Sequence, residues 1–169
     1  MKQQPAIFFD RDGVLNTDIG YAYLPEHITW VDGAIDAIKI ANHNGYLVFV
    51  VTNQSGVARG MYTENDVMNL HAWMQQQALL QGAVIHGFAY CPHHPVEGTG
   101  AYKIACECRK PAPGMILGLA KTHAIDLSKS QLIGDKPTDV EAAAAAGITG
   151  HLYSGGNLAS FVSRIISHP

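Results

Sequence analysis

The chain has 169 residues, 47% of them hydrophobic and 15% charged, and its 14 acidic and 11 basic side chains leave a formal net charge of −3. That length makes one domain with a sizeable core, and the balance lacks the basic footprint of a nucleic-acid or anionic-membrane binder. Apolar runs are strand-sized, not membrane-spanning, and Met1-Lys2-Gln3-Gln4-Pro5 has no signal-like apolar region, so a cytoplasmic location is the default expectation; a monomer is also expected.

Ala6 to Phe9 reads as a first strand. Gly33 to Asn44 carries Ala34, Ile35, Ala37, Ile38 and Ala41 at helical spacing, and Gly45 stops it. Leu47 to Val51 is a continuous apolar run of the kind buried on both faces of a parallel sheet. Thr63 caps a helix reaching Gln81, with Val67, Leu70, Met74 and Ala78 along one face. Ile85 to Tyr90 is a third strand, weakened by His86 and Gly87. A helix from Pro113 to His123, proline near its first turn, precedes a short strand at Gln131 to Gly134. An alanine-rich helix at Thr138 to Ala146, a strand at Gly150 to Tyr153 and a helix at Leu158 to Ile166 complete the chain. Strand and helix alternate over residues 1–169 with neither repeat nor linker, which predicts a single α/β domain on a doubly wound parallel sheet.

In such a sheet ligands bind outside the carboxyl ends of the strands. Asp10 and Asp12 follow the first strand two positions apart, with Gly13 permitting a sharp turn. Such a pair can hold a divalent cation and divide nucleophilic from acid/base work. The second strand ends in Thr52-Asn53-Gln54-Ser55-Gly56, where a hydroxyl and turn amides can bind phosphate oxygens. Arg109-Lys110-Pro111 places two cations before a helix, and Asp135 stands at the tip of the fourth strand. Asp139 reads as a capping or first-turn carboxylate. Each segment alone also has an ordinary reading: an acidic turn at Asp10 and Asp12, a polar turn after Thr52, a solvated basic pair at Arg109 and Lys110. Two stretches, Arg11 to Asp32 and Cys91 to Ala112, are too long for simple connections and read as binding loops.

The three cysteines fall in one segment, Cys91-Pro92-His93-His94 and Cys106-Glu107-Cys108. An odd, clustered set suits a metal better than a disulfide framework. Three thiolates and an imidazole make a closed tetrahedral zinc site that would fold loop 91–108. Cys91, His93, Cys106 and Cys108 are the expected ligands, with His94 as the alternative to His93. The other seven histidines read as ordinary surface or core residues.

Asp-Arg-Asp-Gly-Val, Thr-Asn-Gln, Arg-Lys-Pro and Gly-Asp-Lys-x-x-Asp, in that order over nearly the whole chain, resemble the four motifs of the haloacid dehalogenase (HAD) superfamily of phosphohydrolases. The resemblance implies Asp10 as the nucleophile that forms an aspartyl-phosphate, and Asp12 as the acid and then the base. It implies Thr52 and Lys110 as holders of the phosphoryl group, and Asp10, the Asp12 carbonyl and Asp135 as Mg²⁺ ligands. Cys-Pro-His-His-Pro to Cys-Glu-Cys-Arg-Lys-Pro resembles the zinc-bearing branch of heptose-bisphosphate and histidinol-phosphate phosphatases. Asp18-Ile19-Gly20-Tyr21 and Thr52 to Gly60 lean toward the heptose side. The implied substrate is a small sugar bisphosphate losing its 7-phosphate, on the way to nucleotide-activated heptose and lipopolysaccharide. It would be held by Asp18, Ile19, Gly20, Tyr21, Asn53, Gln54, Ser55, Arg109 and Lys136. Histidinol phosphate is the alternative substrate. The chain has no room for a separate cap domain, and Ser154 to Pro169 follows no pattern of the branch. A zinc-ribbon module would explain the cysteines but needs a basic surface. A phospho-receiver would have no use for Asp12 or a zinc loop.

Overall fold

A strand paired on both edges and covered on both faces is mostly apolar, as are Ala6 to Phe9, Leu47 to Val51 and Leu132 to Ile133 here. In the computed structural model, which describes residues 2–168, β1 (Ala6–Phe9) and β4 (Gln131–Gly134) are buried at every position. β2 (Leu47–Asn53) is buried except at its ends, while β3 (Gly87–Cys91) and β5 (Thr149–Leu152) form the less buried edges. All pairings are parallel, in the order β3-β2-β1-β4-β5.

Helices cover both faces: α1 (Ala34–His43), α2 (Ser55–Ala58), α3 (Glu64–Leu80), α4 (Gly114–Thr122), α5 (Pro137–Ala145) and α6 (Leu158–Ser167). Alternation along the strands divides the core. Ile7, Phe9, Val48, Val50 and Ile133 face Ala37, Ile38 and Ala41 of α1 and Leu158, Val162 and Ile165 of α6. Ala6, Phe8, Phe49, Val51 and Leu132 face Met115, Ile116 and Leu119 of α4 and Ala142 and Ala143 of α5. Full burial of each larger side chain contributes roughly 1.5–3 kcal/mol. Within the C-terminal stretch that matches no branch pattern, α6 completes the core, while Pro169 lies outside the described residues. Asn157 caps α6 by accepting from Ser160 N–H, and the apolar stripe of α6 closes one face of the sheet.

Three expectations shift. β2 runs two residues past Val51, carrying Thr52 and Asn53 on a strand instead of a turn. β3 starts at Gly87, not Ile85, because Val48 N–H donates to the His86 ring and the Ile85 carbonyl accepts from Gln75. The stretch after Gln54 coils into α2. Among the described residues, no helix is long and apolar enough to cross a membrane.

From β1 the chain builds outward through β2 to β3, then returns past β1 to place β4 and β5 on the other side. The order reverses between β1 and β4, and the crevice outside their carboxyl ends is the favoured ligand site of such sheets.

Candidate active site

Asp10 and Asp135 stand on either side of that crevice. Asp10 follows β1 and extends the ladder, its N–H donating to the Ile133 carbonyl at 2.9 Å. Its Oδ1 accepts from Arg11 N–H and from Lys110 Nζ, both at 2.9 Å. Gly13 turns the chain at φ +87°, and any Cβ there would collide with the Asp135 carboxylate. Asp10, Asp135 and Asp139 each bring a carboxylate oxygen within 4.8 Å of the others. Burial lifts the pKa of Asp10 to about 7; the Asp139 charge adds to the rise and Lys110 opposes it.

Lys110 arrives from a segment 100 positions away. Its Nζ donates to Val51 O at 2.8 Å and pairs with Asp139 Oδ1 at 2.6 Å as well as with Asp10. Burial pulls the pKa of this ammonium down, but Asp10 and Asp139 outweigh it and raise the net value. The Asn53 amide holds the Lys110 backbone from both sides, accepting its N–H at 3.0 Å and donating to its carbonyl at 3.1 Å. Asp139 does cap α5, as its first-turn position implies, through Lys136 N–H to Oδ2. Its ion pair with Lys110 is what sequence reasoning missed.

Asp12 sits opposite, its carboxylate accepting from Arg11, from Asn16 Nδ2 at 2.9 Å and from Gln54 Nε2 at 3.2 Å. Gln54 Nε2 also donates to Thr52 Oγ1 at 2.8 Å, while Tyr62 O–H donates to Gln54 Oε1 at 2.6 Å. The tyrosine thereby fixes which way the amide faces. Asn53 and Gln54, read from sequence as substrate contacts, spend their amides on this frame although both line the cleft.

The cleft encloses about 480 Å³ and is lined by Asp10, Asp12, Asp18, Gly20, Tyr21, Thr52, Asn53, Gln54, Ser55, Tyr62, Arg109, Lys110, Lys136, Thr138 and Asp139. Asp18 Oδ1 accepts from Gly20 N–H at 2.9 Å, a tight turn that presents the loop. Ile19, expected beside them, is 57% exposed and is not among the residues lining the cleft. The turn aims its neighbours inward and leaves it outside.

Loop 91–108 gathers Cys91, His93, Cys106 and Cys108. The three sulfurs lie 2.8 to 3.5 Å apart, and His93 Nδ1 is 3.4 Å from Cys108 Sγ and 3.7 Å from Cys91 Sγ. A disulfide would need about 2.05 Å. Burial raises the Cys91 thiol pKa; burial also acts on Cys106, but Arg109 N–H and the neighbouring thiols bring it down to about 6. His94 is engaged elsewhere, its Nδ1 accepting from Val96 and Glu97 N–H.

Comparison with known proteins agrees with this arrangement. A family model described as HAD-hydrolase-like matches residues 107–160. A D-glycero-beta-D-manno-heptose-1,7-bisphosphate 7-phosphatase of Rhodopseudomonas palustris is 51% identical over 97% of this chain and 91% of its own length. An alpha-named counterpart of Burkholderia mallei is 44% identical over 85% of this chain and 76% of its own. The crystal structure of a D,D-heptose 1,7-bisphosphate phosphatase from B. bronchiseptica, complexed with magnesium and phosphate, superposes with a TM-score of 0.81. It shares 29% identity and covers 98% of this chain and 99% of that one. With relatives this similar over nearly its full length, the chain belongs to the D-glycero-D-manno-heptose-1,7-bisphosphate 7-phosphatase family of HAD-like phosphatases.

Proposed function

We propose that this chain is a Mg²⁺-dependent phosphatase that removes the 7-phosphate of D-glycero-D-manno-heptose 1,7-bisphosphate through an aspartyl-phosphate on Asp10. The observation that carries this reading is the triad of Asp10, Lys110 and Asp135 at the reversal point of the sheet, in a chain so similar to relatives of that name.

The residues fit a divalent cation. Asp135 Oδ1 is buried without a hydrogen-bond partner, an exception among buried polar atoms that an ion accounts for. Asp139 has both oxygens committed, to Lys110 and to Lys136 N–H. Asp10, Asp135 and the Asp12 carbonyl are therefore the donors we assign to Mg²⁺. When bound, the cation supplies positive charge against the phosphate dianion.

Lys110 and Arg11 N–H orient the Asp10 carboxylate for attack on phosphorus. As the new Asp10–phosphorus bond forms, the bond to the C7 oxygen breaks, and protonated Asp12 gives its proton to that oxygen. Asp12, now a carboxylate, takes a proton from water, whose oxygen attacks phosphorus and frees Asp10 and inorganic phosphate. Thr52 Oγ1 and the Lys110 ammonium hold the phosphoryl oxygens through both displacements. Arg109 and Lys136 on the cleft wall are suited to the remote phosphate, with the Asp18 to Tyr21 loop and Ser55 shaping the sugar site. We assign Zn²⁺ to Cys91, His93, Cys106 and Cys108, a four-ligand structural site with no coordination position left for water. The described residues act as one domain with loops alone forming the pocket, working as a cytoplasmic monomer.

The test is a phosphate-release assay on both anomers of the heptose bisphosphate and on histidinol phosphate. One equivalent of phosphate per heptose, with the 1-phosphate retained, is expected only with Mg²⁺ and only with Asp10 intact. Faster release from histidinol phosphate would overturn the substrate; the relatives reported above are named for the heptose.

A further inference from the structure

Arg11 is the largest fully buried side chain among the described residues, with 0% exposure. A guanidinium does not shed its proton in a protein. Burying it is tolerated only where a counter-charge and hydrogen-bond acceptors meet it. Here Nε and Nη2 both reach the Asp12 carboxylate, at 3.1 to 3.2 Å, and Nη2 contacts both of its oxygens. Nη2 also donates to the Ala22 carbonyl at 2.8 Å, at the end of the loop whose Asp18, Gly20 and Tyr21 line the cleft. Nη1 meets His71 Nε2 at 3.1 Å.

Arginine has no acceptor, so His71 must accept at Nε2 and keep its proton on Nδ1. Its ring is buried, stacked on Phe88 with centroids 4.4 Å apart and planes 17° from parallel. Neither Arg11 nor His71 lines the cleft.

We infer that Arg11 is a positioning residue for Asp12, held by a neutral His71, which fixes the carboxylate relative to the leaving oxygen and joins its setting to the substrate loop at Ala22. The inference rests on the reading of Asp12 as acid and base. Nε and Nη2 both meet Oδ1, so the guanidinium keeps its hold when the acid form carries its proton on Oδ2, and two donors on one oxygen leave the carboxyl one orientation. Held by a single donor, it turns. Proton delivery needs that orientation, whereas attack by Asp10 does not.

That difference gives the experiment. The value of kcat/KM reports the steps up to formation of the phospho-aspartate. It should depend on a well-aimed acid for an alkyl ester such as the heptose bisphosphate, and little for p-nitrophenyl phosphate, whose leaving group needs no proton. His71→Leu is expected to lower kcat/KM for the alkyl ester on the order of tenfold and to leave the aryl ester within about twofold. His71→Gln, whose carbonyl oxygen can accept from Nη1, should recover most of the loss. Arg11→Lys, which keeps a charge but not the fork, should show the same selective loss. Asp12→Asn sets the benchmark. If it shows the leaving-group selectivity while His71→Leu and Arg11→Lys lose both esters equally or neither, Arg11 is only structural and the inference is wrong. If Asp12→Asn itself lacks the selectivity, the acid assignment fails and takes the inference with it.

Discussion

Lys110 Nζ lies 2.6 Å from Asp139 Oδ1 and 2.9 Å from Asp10 Oδ1, so one buried ammonium is shared between a strand tip and a helix start. Asp135 brings a carboxylate oxygen within 4.8 Å of those of Asp10 and Asp139, so three carboxylates gather around one ammonium. That surplus of negative charge is what a bound divalent ion is suited to offset. In the proposed mechanism Asp139 gives Lys110 a partner that stays in place while Asp10 carries the phosphoryl group.

Asp139→Ala removes both that partner and the α5 cap, and should reduce stability by about 2–4 kcal/mol. Asp139→Asn keeps an acceptor for Lys136 N–H and should be less destabilised. Both should lower kcat by roughly tenfold or more, because Lys110 then leans only on Asp10 and Val51 O. Urea unfolding alongside phosphate release measures the two effects separately. Turnover at the native level in Asp139→Ala would show that Lys110 needs no such support.

The Asp10 carboxyl should make the Mg²⁺-free protein less stable as pH rises. Its pKa is raised from 3.8 to about 7 in the fold, mainly by burial. A raised acid binds its proton more tightly when folded. The stability it confers is present at low pH and is lost as pH climbs from about 4 through 7, a change on the order of a few kcal/mol. Neutral His71 works in the opposite sense, its pKa lowered by burial and by Arg11. The difference between wild type and Asp10→Asn isolates Asp10. In thermal melts after dialysis free of Mg²⁺, wild type should lose ground to Asp10→Asn between pH 5 and pH 8, and added Mg²⁺ should restore it. Parallel melting curves across that range would refute the assignment.

The strands and the residues at their tips were legible because burial on two faces imposes continuous apolar runs and because Asp10 and Asp135 directly follow them. Thr52 was legible as a polar break in such a run, although the strand continues through it. Arg11 and His71 were not, since neighbours 60 positions apart in sequence meet only through packing. Asp139 carried an adequate local explanation as a cap, which hid its second partner. The cysteine spacing disclosed loop 91–108 and His93 as the expected fourth member, while the position of His94, its Nδ1 turned to Val96 and Glu97 N–H, shows only in the coordinates.

Carefully prepared protein should contain about one zinc per chain. Replacing Cys106 and Cys108 with serine should release it and loosen loop 91–108, which has little apolar material of its own. Protease sensitivity between residues 92 and 108 is the direct readout, with elemental analysis beside it. Metal-free wild-type protein with an intact, protected loop would remove the structural role for zinc.

Arg109 connects that loop to specificity. It follows Cys108 in sequence, its N–H donates to Cys106 Sγ, and its Nη1 donates to the His93 carbonyl at 3.4 Å while it lines the cleft. A bisphosphate brings a second dianion, which needs a cation away from Lys110, and a guanidinium fork suits phosphate oxygens. Binding energy from that remote group helps to orient the reacting one. Arg109→Ala should therefore reduce kcat/KM for the heptose bisphosphate by at least roughly tenfold, and for p-nitrophenyl phosphate by no more than about twofold. Arg109→Lys should fall between, keeping the charge without the fork. Because the guanidinium is braced on the segment assigned to zinc, loss of zinc should impair the bisphosphate before the aryl ester. Equal losses on both substrates in Arg109→Ala would instead place Arg109 on the reacting phosphoryl group, beside Lys110.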